Sequence, residues 1–151
     1  MKTTIEMPNI KELQKVIYNP IVAKPMSKHV EALRIVTDEE GLTRIDFLYK
    51  APSYYINGGW VQMNRHCFIR PCGSNTKLTL VKAVNIPLAP VKHYFRKCGE
   101  ILCYTLYFPA LPKGTNSIDI IEAEGPGGNW FNFYGVSLEK IKSEKIIVNT
   151  N

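Results

Sequence analysis

The sequence has no long uninterrupted apolar run. Charge and proline occur within the first eight residues. No later segment reaches the roughly 7 to 15 apolar residues of a secretory signal or the roughly 20 of a membrane-spanning helix. We therefore expect a cytoplasmic protein with no membrane contact. Because thiols stay reduced in that compartment, the four cysteines, Cys67, Cys72, Cys98 and Cys103, are expected to be free.

Catalytic and metal-binding patterns are scarce as well. The sequence contains three histidines and no Gly-x-Ser-x-Gly or His-Glu-x-x-His motif. Cys67 and Cys72 form one pair and Cys98 and Cys103 another, but their spacing differs from that of a zinc knuckle, and Cys103 is expected in the core. We therefore predict no metal, no cofactor and no enzymatic activity; an enzyme built on His66, His93, Asp119 and Glu122 is the disfavoured alternative.

The 151 residues, 45% of them hydrophobic, are typical of one globular domain. Apolar spacing predicts a short N-terminal helix over 9–17 or an extended arm, and 20–25 is expected to be an extended lead-in or edge strand. From residue 28 onward the apolar period is two, which indicates strands separated by Gly- and Pro-rich turns. The predicted strands are 29–37, 44–49, 66–70, 77–84, 100–108, 117–122 and 129–137, with a Gly58-Gly59 hairpin over 54–63.

This pattern predicts an all-β fold, a single antiparallel β-sandwich, because no long helical segment intervenes between strands. The predicted organisation is an arm or short helix over 1–27, the sandwich over 28–138, and a charged strand or tail over 139–151. Loops such as 125–129 lack the Gly-Lys-Ser/Thr ending of a phosphate cradle.

The segment 101–138 has a distinctive order of motifs. It contains Leu-Tyr-Phe-Pro-Ala-Leu-Pro-Lys-Gly-Thr at 106–115, Ile-Asp-Ile-Ile-Glu at 118–122 and Asn-Trp-Phe-Asn-Phe-Tyr-Gly-Val at 129–136. This segment resembles the uncharacterised immunoglobulin-like β-sandwich domains common in Bacteroidota proteins. The resemblance implies an immunoglobulin-like sandwich without an assigned active site. From position alone, Asp119 and Glu122 are interpreted as structural acceptors for the turn amides of residues 113–115.

Charge is distributed unevenly along the chain. No carboxylate occurs between Asp46 and Glu100, whereas that interval holds eight lysines and arginines and accounts for the excess positive charge. Arg65, Arg70, Arg96 and Lys97 are candidates for an anion-binding surface, since guanidinium groups suit phosphate. Tyr54, Tyr55 and Trp60 are candidate aromatic contacts, with the Trp60 ring either a corner plug or exposed. The alternative is ordinary solubilising charge spread over both sheets.

We accordingly predict a non-enzymatic binding or interaction module that recognises a protein or an anionic ligand. The alternative function is nucleic-acid or nucleotide binding through the basic, aromatic-interleaved region 50–97. A homo-oligomer formed through an edge strand is a further alternative, because an open sandwich leaves strand edges unpaired.

Overall fold

A computed structural model of the protein describes residues 15–126 and 130–139. Between these limits the chain forms twelve strands and one short 3-10 turn, Ile56–Gly58. The strands are β1 (Val16–Tyr18), β2 (Val22–Pro25), β3 (Val30–Glu39), β4 (Leu42–Lys50), β5 (Trp60–Val61), β6 (Phe68–Pro71), β7 (Leu78–Thr79), β8 (Lys82–Val84), β9 (His93–Tyr94), β10 (Ile101–Pro109), β11 (Ser117–Ile121) and β12 (Phe133–Ser137).

The strands form two five-stranded sheets that pack against each other. The first sheet has the order β1-β3-β4-β10-β8 and the second has the order β2-β12-β11-β6-β7, with a separate ladder of β5 and β9. Every pairing between these named strands is antiparallel. The predicted all-β antiparallel sandwich is confirmed, while its immunoglobulin-like character stays a prediction.

The core lies between the sheets because the strands alternate buried and exposed side chains. In β4, Ile45, Phe47 and Tyr49 are buried while the residues between them are half-buried. Phe47 stacks on Tyr104 of β10, with ring centroids 5.0 Å apart, and its centroid lies 5.7 Å from that of Phe133 in the second sheet. These contacts join the two layers through aromatic packing.

The N-terminal part of the sandwich begins earlier than the sequence indicates. Val16 and Ile17, the last two apolar positions of the helix predicted over 9–17, belong to β1, so the helix is wrong at these residues; 9–14 lie outside the described residues. Ile17 is buried in β1, which pairs with β3. Extended structure in 20–25 is confirmed by the edge strand β2, so both sheets already include chain from the segment predicted as an arm.

The predicted hairpin over 54–63 is wrong. Gly58 and Gly59 do adopt positive φ angles of 84° and 74°, as such a turn requires. However, β5 pairs with β9, placing Trp60 opposite Tyr94, and the preceding residues form the 3-10 turn instead of a partner strand. A non-local strand replaces the local one.

Four further expectations are corrected or limited by the structure. The single strand predicted over 77–84 is divided between β7 in the second sheet and β8 in the first. The Leu80 amide donates to the Cys67 carbonyl, and the next amide, that of Val81, donates to the Tyr107 carbonyl of the first sheet.

Cys103 is exposed rather than in the core, since its neighbours Leu102 and Tyr104 take the buried positions. The strand predicted over 129–137 begins only at Phe133, and the predicted strand or tail from 140 onward lies outside the described residues.

Within the described residues all four cysteines are free, and Cys67 is the buried one. Over the same ranges, no helix has the length and apolar character needed to cross a membrane.

Candidate binding cleft

A cleft of about 530 Å³ lies beside β4 of the first sheet and is also lined by residues that directly follow β2 and β11 of the second sheet. It lies between residues 26–29, the turn that follows β4, the start of β5, and residues 130–131. Six aromatic side chains line it: Tyr49, Tyr54, Tyr55, Trp60, Trp130 and Phe131. The charged and amide-bearing residues in the lining are Lys28, His29, Gln62 and Glu122. We call this site the aromatic cleft.

The turn that leads from β4 into β5 carries Tyr54, Tyr55 and Trp60, and we call it the aromatic turn. It is held in place by a close approach between two backbone segments. An added Cβ at Gly58 would lie 2.7 Å from the Lys97 carbonyl oxygen, so only glycine fits here. The Phe95 amide donates to the Gly59 carbonyl at 3.0 Å, and the Cys98 thiol donates to the Tyr55 carbonyl at 3.2 Å. The segment 95–99 thereby fixes the position of the aromatic turn.

The predicted aromatic contacts Tyr54, Tyr55 and Trp60 are brought together in this cleft. The rings of Tyr54 and Tyr55 are in edge-to-face contact with centroids 4.7 Å apart, and the Tyr54 hydroxyl lies 3.2 Å from Nε2 of His29. Trp60 is 47% exposed. Of the two alternatives for this ring, a buried corner plug and an exposed ring, the structure therefore shows the exposed ring. Lys92 covers part of this indole, its Nζ lying 4.6 Å from the ring centroid.

Glu122 supplies a buried carboxylate to the aromatic cleft. It follows β11 and is only 7% exposed. Its Oε1 accepts a hydrogen bond from the Phe131 amide at 2.9 Å, and its Oε2 accepts one from the Asn64 amide at 3.3 Å. Burial raises the pKa of this carboxyl, and the two backbone hydrogen bonds oppose that rise only in part.

Glu122 and Asp119 act as hydrogen-bond acceptors, but not for the turn that the sequence indicated. Asp119 accepts from the Gly135 amide at 3.0 Å and from Arg70 Nε at 3.1 Å. In the 113–115 turn, the Thr115 amide donates to the Pro112 carbonyl. The predicted partners are therefore wrong, because tertiary packing places these strand residues beside other loops.

Two buried polar atoms near this region have no hydrogen-bond partner among the described residues. They are Oε1 of Gln62, which lines the aromatic cleft, and the hydroxyl of Tyr104. Desolvation raises the pKa of Tyr104 well above its ordinary value, and the charge of Glu122 adds to that rise. A buried acceptor without a donor is costly, so Oε1 of Gln62, which is closed to solvent, is a polar atom that the described contacts leave unsatisfied.

The four cations proposed as an anion-binding surface lie on different chain segments. Arg70 is half-buried in β6, where it pairs with Asp119 and Glu124. Arg65 lies in the loop before β6 and donates to the Ala89 carbonyl at 2.9 Å. Arg96 and Lys97 are exposed in the segment that contacts the aromatic turn.

Other central cations are divided between the sheets. Lys77 pairs with Glu124 and lies over Phe68 of the second sheet, whereas Lys82 lies over Tyr107 of the first. This placement matches the alternative in which positive charge is spread over both sheets.

A second cavity, of about 440 Å³, offers different chemistry. Its lining includes Lys15, Thr37, Asp38, Leu111 and Lys113, and no aromatic ring among the described residues. We therefore place the candidate site at the aromatic cleft, where rings and buried polar groups converge.

Several residues of the aromatic cleft have no clear signature in the sequence. Tyr49, Gln62, Trp130 and Phe131 come from separate segments, and only folding brings them together. Glu122 offers one signal, since an acidic residue directly follows the apolar pair Ile120 and Ile121.

Comparison of the chain with protein-family models, with curated proteins and with solved structures finds no match. Across residues 15–126 and 130–139, no group of three or more His, Cys, Asp or Glu side chains is arranged to hold a metal ion. The function is therefore argued from the cleft itself.

The raised pKa of Glu122 predicts an unusual pH dependence of stability. Between its ordinary pKa of 4.5 and its higher value in the folded protein, the native state binds a proton that the unfolded chain releases. We therefore expect the free energy of unfolding to increase as the pH falls from neutral through this interval. Asp46 and Asp119, whose pKa values are lowered, act in the opposite direction only below about their ordinary 3.8.

Urea unfolding at a series of pH values measures this dependence, with Glu122→Gln as the test variant. The variant is expected to lose the increase in stability, whereas Glu31→Gln, an exposed control on β3, keeps it. An unchanged pH profile in Glu122→Gln would assign the increase to another group.

Proposed function

We propose that the protein is a non-enzymatic binding module whose recognition site is the aromatic cleft. The observation that carries this proposal is the convergence of six aromatic rings with a buried carboxylate in one concavity of about 530 Å³. Ligand sites are typically concave, mostly apolar and equipped with a few convergent polar groups. We further propose that the sandwich is immunoglobulin-like and that the protein is cytoplasmic.

The polar groups of the cleft favour binding over catalysis. Glu122 is engaged by two backbone amides, and Nε2 of His29 lies within hydrogen-bond distance of the Tyr54 hydroxyl. The Ser27 hydroxyl accepts from the His29 amide at 3.2 Å. A nucleophile paired with its base is the arrangement that covalent catalysis needs, and these contacts do not supply one.

Anion or nucleic-acid binding through Arg65, Arg70, Arg96 and Lys97 has weaker support. The two carboxylates on Arg70 already neutralise its charge. Arg96 and Lys97 are exposed and lie in the segment that fixes the aromatic turn. They are therefore the cations to replace in a test of anion binding. If the ligand belongs to a protein partner, that partner would insert a compact chemical group into the cleft. Pairing between the edge strands of two copies would use a different surface.

The test is thermal unfolding with a panel of cationic, neutral and anionic small molecules. A ligand at one hundred times its Kd should raise the Tm of the wild-type protein by about 5 to 10 °C. Trp60→Ala and Tyr55→Ser should lose that increase. Tyr94→Ala is the matched control, because Tyr94 is 67% exposed and faces Trp60 in the ladder but does not line the cleft.

Two results would contradict the proposal. A ligand that stabilises Trp60→Ala as much as the wild type binds elsewhere. Oligonucleotide binding that weakens steeply with salt, and that is lost in an Arg96→Ala, Lys97→Ala double variant, would favour the basic surface instead.

A further inference from the structure

The aromatic cleft has unused hydrogen-bond acceptors. A carboxylate offers about four lone-pair positions, and Glu122 receives two backbone donors. Oε1 of Gln62 receives none among the described residues. Glu122 lines the cleft, so a ligand that complements this carboxylate must bring N–H or O–H donors or positive charge.

The negative charge of Glu122 is also uncompensated. Over residues 15–126 and 130–139, no lysine or arginine nitrogen lies within 4.0 Å of this carboxylate; the ion pairs of the protein form elsewhere, at Asp46, Glu39, Asp119 and Glu124. The two backbone hydrogen bonds stabilise this carboxylate without cancelling its charge, so a cation beside it is attracted.

The walls of the cleft suit a cation as well. Faces of tryptophan and tyrosine rings attract ammonium and guanidinium groups through their electron-rich π-systems. Trp60, Tyr54 and Tyr55 are about half exposed, at 47%, 63% and 50%. The Lys92 ammonium group already lies over Trp60, although Lys92 itself does not line the cleft.

We propose that the aromatic cleft binds a small organic monocation, an ammonium or guanidinium ion, with Glu122 as its counter-charge and the aromatic rings as its walls. This inference rests on the proposed function and specifies its ligand class.

A free small molecule fits better than a basic segment of a partner protein. The chain has a formal net charge of +6, and the interval from 47 to 99 is free of carboxylates, so a polycationic segment would be repelled. Lys28 and His29 also line the cleft. Lys28 is exposed, so water screens its repulsion of a ligand more than it screens the attraction of the buried Glu122.

The first experiment compares two cations with their neutral shape analogues by calorimetric titration of the full chain. The probes are choline and butylammonium; the analogues are the choline isostere in which a tert-butyl group replaces trimethylammonium, and butanol. Titration to about 10 mM would detect a Kd of roughly 1 mM. Each cation is expected to bind about tenfold or more tightly than its neutral analogue.

Variants locate the binding site. Glu122→Gln should weaken cation binding about tenfold and should weaken any binding of the neutral analogues far less, because these lose no ionic attraction. Glu31→Gln, which makes the same charge change on β3, should bind like the wild type. Trp60→Ala should weaken the binding of cations and analogues alike.

A pH series on the wild-type protein tests the proposal even if Glu122→Gln fails to fold. Cation affinity should decrease as protonation removes the negative charge of Glu122, while the affinity of the neutral analogues stays constant. Lys28 and His29 line the same cleft as this carboxyl, and burial together with the charge of Glu122 raises the pKa of the Tyr104 hydroxyl and of the Cys67 thiol.

The alternative outcomes are distinct. Equal binding of a cation and its neutral analogue, or binding of neither cation, would overturn the cation assignment. The proposed function would still stand if a neutral ligand binds the wild type and its binding is lost in Trp60→Ala. Tighter binding of a lysine-rich peptide than of choline would overturn the small-molecule assignment. If no ligand responds to changes in the cleft, the proposed function fails as well.

Discussion

Replacing Phe47 with alanine is expected to lower the free energy of unfolding by about 3 to 5 kcal/mol. Phe47 is 1% exposed and contacts aromatic rings from both sheets, Tyr104 in the first and Phe133 in the second. Truncation removes these contacts and leaves a cavity between layers that strand pairing prevents from closing. Equilibrium unfolding in guanidinium chloride measures the loss.

Leu48→Ala is the matched control for Phe47→Ala. Leu48 is the next residue of β4 but points to the opposite face of the sheet, where it is only half-buried. Its truncation should cost less than half as much. Similar losses at both positions would contradict a core placed between the two sheets.

The second large effect is expected at Gly58. An alanine Cβ there would lie 2.7 Å from the Lys97 carbonyl oxygen and 2.9 Å from the Ala51 Cβ, at a φ of +84°. Backbone strain and overlap together should destabilise the protein by about 2 to 5 kcal/mol. The variant should also lose ligand binding, because Gly58 shapes the turn that carries Tyr54, Tyr55 and Trp60.

Gly41→Ala separates the two causes. Gly41 has the same φ of +84°, but an added Cβ would meet nothing within 4 Å. It should therefore cost only the backbone strain, about 1 to 2 kcal/mol. If the two variants are equally destabilised, overlap with the 95–97 segment contributes nothing, and the close approach at Gly58 is not what holds the turn.

The strands that alternate regularly are predictable from the sequence. The predicted strand 44–49 corresponds to β4, and 100–108 corresponds to β10, each within two residues at either end. Their side chains alternate between the core and the outside, so the period is visible without knowledge of the partner strand. Pairs such as Ile45 opposite Leu106 then follow from packing in the folded protein.

The hairpin over 54–63 shows the limit of local pattern. Gly58 and Gly59 have the predicted positive φ angles, but the strand that pairs with Trp60 and Val61 comes from residues 93–94. A turn residue specifies a backbone conformation and not the segment that pairs beyond it. Competition between local and distant partners is decided by the free energy of the whole fold.

For the candidate site, the residue pattern predicts the aromatic character of residues 54–60 and the all-β architecture that displays them. Folding is needed to bring Tyr49, Trp130 and Phe131 to these rings, and to bury Glu122 without a cationic partner within 4.0 Å in the described part of the chain. Composition and period report what each residue can do, whereas burial and charge pairing depend on segments far apart in sequence.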